Sequence, residues 1–370
     1  MFGISNNKGD NIRFKIFLIS VLLLFVISTS VYSVKDIFRF ENDAKEIGEI
    51  AAENSAKEIR VGYFPNVNHA QAVIGFGNGV FQEQFGTEVK VDNRVFNAGP
   101  SIIEALFANQ LDMAFVGPNP AINGYKISNE SLKIISGASS GGTLFVVRED
   151  SNINSTGDFH DKKFSSPQIG NTQDVALRKF LLDNGYKTTD MGGDVKVLPA
   201  ANPDIVTLML KKDIDGAWVP EPWGSKLIKE GNGKLFLDEK DLWKPDKKFV
   251  TTQLIVKTDF LKKNPEIVKK ILSTHVNITN WLNENKEEGM KVFNEEIKKI
   301  SGEEIPEEIL KDSFDRIDFT YDPIKESLFE MAKDSFEIGY LGNDMPDLEG
   351  IYDLDLLNQV LKERGLEEIK

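Results

Sequence analysis

The chain has no cysteine and only three histidines in 370 residues, and its 44 Lys+Arg are outnumbered by 58 Asp+Glu, for a formal net charge of -14. Each shortage removes chemistry. Without cysteine there are no disulfide staples, thiolate-bound zinc, iron–sulfur clusters, thiol nucleophiles or lipidated N-terminal cysteine. His69, His160 and His275 are dispersed along the chain, which argues against a His-rich metal site, and no cofactor is implied. A histidine without a Ser, Asp or second His beside it is weak ground for catalysis. The acidic balance argues against nucleic acid, because holding phosphates needs clustered Lys or Arg. What is present suffices for real cores: 41% of residues are hydrophobic and 10% aromatic, enough for two or three domains or one two-lobed unit.

Residues 16–34 (IFLISVLLLFVISTSVYSV) are nineteen positions without a charge, preceded by Lys8, Arg13 and Lys15. At about 1.5 Å per helical residue this run approaches the ~30 Å hydrocarbon thickness of a bilayer. A secretory signal fits the apolar core at 16–27 with cleavage after Ser28-Thr29-Ser30 or Val31-Tyr32-Ser33. An uncleaved transmembrane anchor fits the full length, with residues 1–15 as a basic cytoplasmic N-terminus. Either reading places residues 35 onward outside the cytoplasm. Residues 35–57 are acidic and Ala/Glu-rich and read as a spacer.

Beyond the spacer, strand and helix patterns alternate. Apolar β-branched runs at 58–64, 88–96, 113–116, 132–136 and 144–147 are separated by helical patterns, one of them running from 70 to about 84. The rhythm restarts with strands at 163–165, 194–198 and 216–219 and helices at 171–184 and 204–212. Two α/β lobes with parallel-rich sheets are therefore expected, meeting near Val147. A further strand at 249–256 (FVTTQLIV) reads as the return to the first lobe, and amphipathic helices from 258 to 359 cover it. The expected division is 58–146 with 251–370 for lobe 1 and 147–250 for lobe 2.

Ligands of open α/β sheets bind beyond the carboxyl ends of strands, where helix N-termini offer free N–H groups and partial positive charge. Several strand ends here carry small or capping residues: Asn66 to His69, Gly99 to Ser101, Gly117 to Asn119, Gly141 to Thr143 and Gly170 to Gln173. Any one of them is an ordinary cap or turn. Their recurrence in two lobes points to a small polar or anionic ligand held without Lys or Arg. In Gly216-Ala217-Trp218-Val219-Pro220-Glu221-Pro222-Trp223, two tryptophans and a carboxylate at one strand end read either as a pocket wall or as a structural corner.

These stretches resemble the substrate-binding proteins of ABC importers of the nitrate/sulfonate/taurine type. The resemblance is carried by Phe64-Pro65-Asn66-Val67-Asn68-His69-Ala70, Phe96-Asn97-Ala98-Gly99-Pro100-Ser101 and Leu111-Asp112-Met113-Ala114-Phe115-Val116-Gly117. It continues through Gly170-Asn171-Thr172-Gln173 and Asp215-Gly216-Ala217-Trp218 to Glu221-Pro222-Trp223. It implies a type II periplasmic-binding-protein fold with a two-strand hinge at 144–147 and 251–256. It also implies a ligand site at Asn66, His69, Gly99, Pro100, Ser101, Gly117, Asn119, Thr143, Asn171, Thr172, Trp218 and Glu221. The implied partners are a small anionic or zwitterionic solute, an ABC permease with its cytoplasmic ATPase, and the membrane through the N-terminal segment. Relatives tethered by a lipidated cysteine differ from this chain, which favours a peptide anchor.

The expected function is a non-enzymatic receptor for an alkanesulfonate or taurine-like solute, with Glu221 beside Trp218 suiting a ligand amine. Nitrate, bicarbonate or a pyrimidine precursor are alternatives on the same fold, as is an anchored sensor. The enzymes with the same family look, thiamine-pyrimidine synthases, carry a cysteine-rich motif that this chain lacks.

Overall fold

Strands buried on both faces need cover on both faces, and two such groups set the architecture. The computed structural model describes residues 56–370, and the basic N-terminus and the membrane or signal segment expected within residues 1–55 lie outside it. The strands are β1 (Glu58–Tyr63), β2 (Lys90–Val95), β3 (Met113–Val116), β4 (Leu132–Gly141), β5 (Thr143–Arg148), β6 (Lys163–Ser166), β7 (Lys196–Pro199), β8 (Gly216–Pro220), β9 (Gly233–Asp238), β10 (Val250–Lys257) and β11 (Ile317–Phe319). They form a six-stranded sheet of order β11-β4-β10-β3-β1-β2 and a five-stranded sheet of order β7-β6-β8-β5-β9. In each sheet the βαβ units pair in parallel, β1 with β2 and β3, and β6 with β7 and β8. The strand arriving from the other lobe adds antiparallel, β10 against β3 and β4, and β5 against β8. The result is a two-lobed mixed α/β fold with one sheet per lobe.

Sequence accounts for most positions in this order. β3 (MAFV) is wholly buried at the sheet interior, whereas β2 carries Lys90, Asp92 and Arg94 along an edge, where charge discourages unwanted pairing. The helix Gly99–Phe107 buries Ile102, Ile103 and Leu106 at helical spacing. From Thr258 on, amphipathic helices such as Pro265–Glu284 cover the first sheet, burying Val268, Ile271, Leu272 and Val276 in its core.

Three expectations need correction. The helical pattern from 70 to 84 is two helices, Ala70–Gly77 and Val80–Glu83, interrupted at Gly79, whose positive φ ends the first. The short strands β9 and β11 were not anticipated: β11 has only three residues and is specified by its pairing with β4. The expected hinge strands do not bridge the lobes. β5 pairs only with β8 and β9, and β10 only with β3 and β4. The chain leaves the first sheet at Gly141-Gly142, where φ is +78° and +71°, and returns through residues 239–249. Gly141 still pairs with Ile317 of β11, and the ladder ends at Gly142. The sheet change therefore precedes Thr143, and residues 143–146, expected in the first lobe, belong to the second sheet. Among the described residues no helix is long and apolar enough to cross a membrane.

Candidate functional site

Strand ends and helix starts from both lobes meet around a small cavity of about 20 Å³. The first lobe contributes Phe64, Asn66, Asn68, His69, Asn97, Gly117, Thr251 and Thr252; the second contributes Asn171, Thr172, Gln173, Asn202 and Pro220. The volume suits about one water, so the lobes are drawn together over the site. No lining residue is an acid, a lysine or an arginine. Burial pushes the His69 imidazole down to about 3, which keeps it neutral. Its Nδ1 accepts from the Phe64 N–H at 3.4 Å, which leaves the ring proton on Nε2 as a donor. The imidazole also packs on the Phe64 ring, centroid to centroid 4.5 Å.

The cavity is polar and only partly satisfied. Asn68 Nδ2 donates to Gly141 O at 2.9 Å and Thr251 Oγ1 at 3.2 Å, tying the site to the lobe crossing. Asn68 Oδ1, Thr172 Oγ1, Asn202 Oδ1 and Thr252 Oγ1 are buried without a hydrogen-bond partner. An unpaired buried polar atom costs about 1–3 kcal/mol, which a polar ligand can recover. The helices starting here differ in what they offer. Pro100, Pro118, Pro120 and Pro203 occupy the first turns of three of them and carry no N–H. The twelve-residue helix Thr172–Asp183 has none, so Thr172 and Gln173 present free N–H groups at its positive end.

The expected site residues divide accordingly. Asn66, His69, Gly117, Asn171 and Thr172 line the cavity. Gly117 allows close approach: a Cβ there would collide with Thr172 Oγ1. Gly99 lies beside it, backed by Pro120 and Asn171 Oδ1. Ser101 donates across the cleft to Gln168 Oε1 at 3.2 Å and lines an adjoining pocket with Asn97. Pro100 is the second residue of its helix and lies outside the lining.

Four further placements differ from expectation. Trp218 is fully buried in the second lobe, stacked on Phe145 with centroids 5.1 Å apart, and donates to Glu239 Oε2 at 2.7 Å. Alternation along β8 turns its indole into that core. The Glu221 carboxylate accepts from Ser225 N at 2.9 Å, Ser225 Oγ at 2.8 Å and Ser313 Oγ at 3.1 Å, with Arg316 Nε at 3.8 Å. Burial raises its pKa and these partners oppose the rise. It caps a helix and joins the lobes beside the crossing, leaving no face for a ligand amine. Asn119 points into its own lobe, donating to Ser335 Oγ at 2.7 Å and Met331 O at 3.2 Å. Thr143 is buried in the β5–β8 ladder opposite Pro220.

Phe64, Asn68, Gln173 and Pro220 line the cavity beside expected residues without having been singled out, and Asn97, Asn202, Thr251 and Thr252 lie outside the expected positions altogether. Asn202 was within reach: it opens the helix Asn202–Leu210 directly after β7, and the strand-end rule applies once Asn202-Pro203 is taken as a helix start. Thr251 and Thr252 lie inside a strand and carry no local signal.

On the open side, Asn66, Asn97 and Asn202 also border a second pocket of about 560 Å³ that spans the lobes. Val95, Val206, Trp223, Ile297, Ile300 and Ile305 give it apolar walls, and Lys226, Glu303 and Glu304 also line it. Between the compartments, Trp223 Nε1 donates to Asn66 Oδ1 at 3.0 Å across the cleft.

Two α/β lobes, one sheet each, closed over a polar cleft define the periplasmic-binding-protein-like class. The chain belongs to the NMT1-like family, whose model matches residues 52–294. It is 25% identical to the taurine-binding periplasmic protein of Escherichia coli over 221 residues, 60% of this chain and 65% of that one. It is 31% identical over 127 residues to the nitrate/nitrite binding protein NrtA of Nostoc, covering 33% of this chain and 27% of that protein. Among solved structures, the alkanesulfonate-binding protein SsuA of Xanthomonas axonopodis bound to MOPS aligns with TM-score 0.66 at 16% identity, covering 80% of this chain and 97% of that one. The periplasmic nitrate-binding protein NrtA of Synechocystis also gives 0.66, at 15% identity and with 83% and 89% covered. The resemblance drawn from the strand-end motifs holds.

Proposed function

We propose that the chain is the extracytoplasmic solute-binding component of an ABC importer, a receptor rather than an enzyme. It takes an organic solute with an oxyanion head, an alkanesulfonate above all, and hands it to a permease driven by a cytoplasmic ATPase. Residues 16–34 would export the chain or anchor it at the outer face of the membrane. The observation that carries this reading is the uncharged cleft cavity, with its unpartnered Thr172 and Thr252 hydroxyls and the free N–H groups of the Thr172–Asp183 helix. Fixed dipoles hold an anion without the desolvation cost of a buried lysine or arginine. The apolar walls of the adjoining pocket support an organic tail over bare nitrate or bicarbonate. Glu221 offers no partner for a taurine amine, because its carboxylate is already engaged.

A thermal-shift screen of the full chain against alkanesulfonates of increasing length, taurine, nitrate, bicarbonate and pyrimidines tests it. A solute that binds only the native state adds RT ln(1 + [L]/Kd), about 2.7 kcal/mol at a hundredfold excess over Kd. The midpoint is expected to rise most with alkanesulfonates. A rise with nitrate or bicarbonate alone overturns the organic-tail reading, and a flat response to every solute overturns the receptor reading.

A further inference from the structure

The helix that presents Thr172 and Gln173 to the cavity is gripped from the opposite lobe at two further points. Asp174, fully buried in its first turn, is held on its own lobe by Ser166 Oγ at 2.8 Å, Gly170 N at 3.0 Å and Arg178 Nε at 3.1 Å. Its Oδ2 also accepts from Tyr340 OH at 2.8 Å, and Tyr340 belongs to the first lobe. Further along the same helix, Lys179 Nζ reaches Glu337 Oε2 at 3.2 Å and Asp334 Oδ1 at 3.8 Å, again in the first lobe.

We propose that Tyr340 and Lys179 form a latch that holds the lobes closed and sets affinity for every solute the cleft binds, through positioning residues that touch no solute. Trp223 to Asn66 and Ser101 to Gln168 also cross the cleft, but they join residues that line the cavity or its adjoining pockets; the interlobe contacts away from the solute do this less well. Lys229 meets Glu308 and Asp312 at 3.2 and 3.6 Å on the surface, where such pairs contribute little. Ser313 and Glu221 meet beside Gly142, whose O accepts from Glu221 N at 2.9 Å, so opening about that point stretches them least. The Tyr340–Asp174 bond is partly buried, made to a carboxylate and placed on the solute-binding helix itself, so opening must break it. Apparent affinity scales with the fraction of molecules in the binding-competent state. A latch therefore changes all dissociation constants by one common factor, whereas a residue in the cavity changes their ranking.

The latch rests on the receptor reading only for its effect on solute affinity, and its test has two arms. In the first, fluorophores on the two lobes of the full chain report the closed fraction without solute, for wild type, Tyr340→Phe and Lys179→Gln. Both variants are expected to lower it. In the second, solutes that register in the thermal-shift screen are titrated against the same proteins. Tyr340→Phe, which removes one hydroxyl and keeps the ring, is expected to raise Kd about tenfold, equivalent to about 1.4 kcal/mol, by the same factor for each solute and with faster dissociation. An unchanged closed fraction overturns the latch, and so does a Kd effect that differs between solutes. If no solute binds, the receptor reading fails while the first arm still decides the latch.

Discussion

Buried carboxylates in this protein act as structural acceptors, and their protonation follows from that. Glu239 is 2% exposed and accepts from the Trp218 indole at 2.7 Å. Burial pushes its pKa up to about 7, against the smaller lowering by Trp218 and Trp243. Because the folded value lies above the unfolded one, folding takes up a proton between them. Stability from this group is full below about pH 4.5 and is lost as pH rises towards 7. Glu239→Gln keeps an acceptor for the indole without the titrating charge. It is expected to be more stable than wild type at pH 8 by roughly 1–3 kcal/mol and equal to it at pH 4, as read by denaturant unfolding at both pH values. Equal stability at pH 8 would mean that Glu239 is ionised there at no penalty. Glu221 shows the same habit: in sequence it stands between two tryptophans like a ligand contact, and in the fold two serines and an arginine occupy it.

At the scale of elements, the site is made by where strands stop and helices start. Three of the helices at the cleft open with prolines, which fix the first turn but remove donors, whereas Thr172–Asp183 opens without one and leaves the N–H groups of Thr172 and Gln173 free. That helix reaches the cavity only because Gly117 has no side chain. Gly117→Ala is expected to keep the fold of each lobe and to weaken solute binding at least tenfold by holding the lobes apart. Titration calorimetry alongside unfolding of the solute-free protein would show it. Unchanged affinity would mean that Thr172 yields and that tight closure is unnecessary. The crossing at Gly141-Gly142 is set in the same way, by two residues whose positive φ ends one sheet before the next begins.

At the scale of the whole molecule, a chain of net charge -14 holds a cavity that carries no charge of its own. A basic site would attract anions and lose association rate as salt is added. Here the surrounding field repels an anionic solute and screening relieves it, so association should quicken between about 20 and 200 mM salt, measured by stopped flow. Slower association with salt would reveal a local positive field at the mouth of the cleft. The sequence by itself determined the α/β alternation, the two lobes, the absence of metal-thiolate chemistry and most of the strand ends that form the cleft. Those features depend on periodicity, caps and composition, which act over a few residues. Only the tertiary structure decided that Trp218, Glu221 and Asn119 face inward while Asn97, Asn202, Thr251 and Thr252 face the cavity. It likewise decided that the sheets change at Gly141-Gly142 and that Tyr340 meets Asp174, 166 residues away in the chain. The physical reason is that a side chain's direction depends on the register of its strand and on what packs against it. Those are set by contacts between residues far apart in sequence, which no local pattern records.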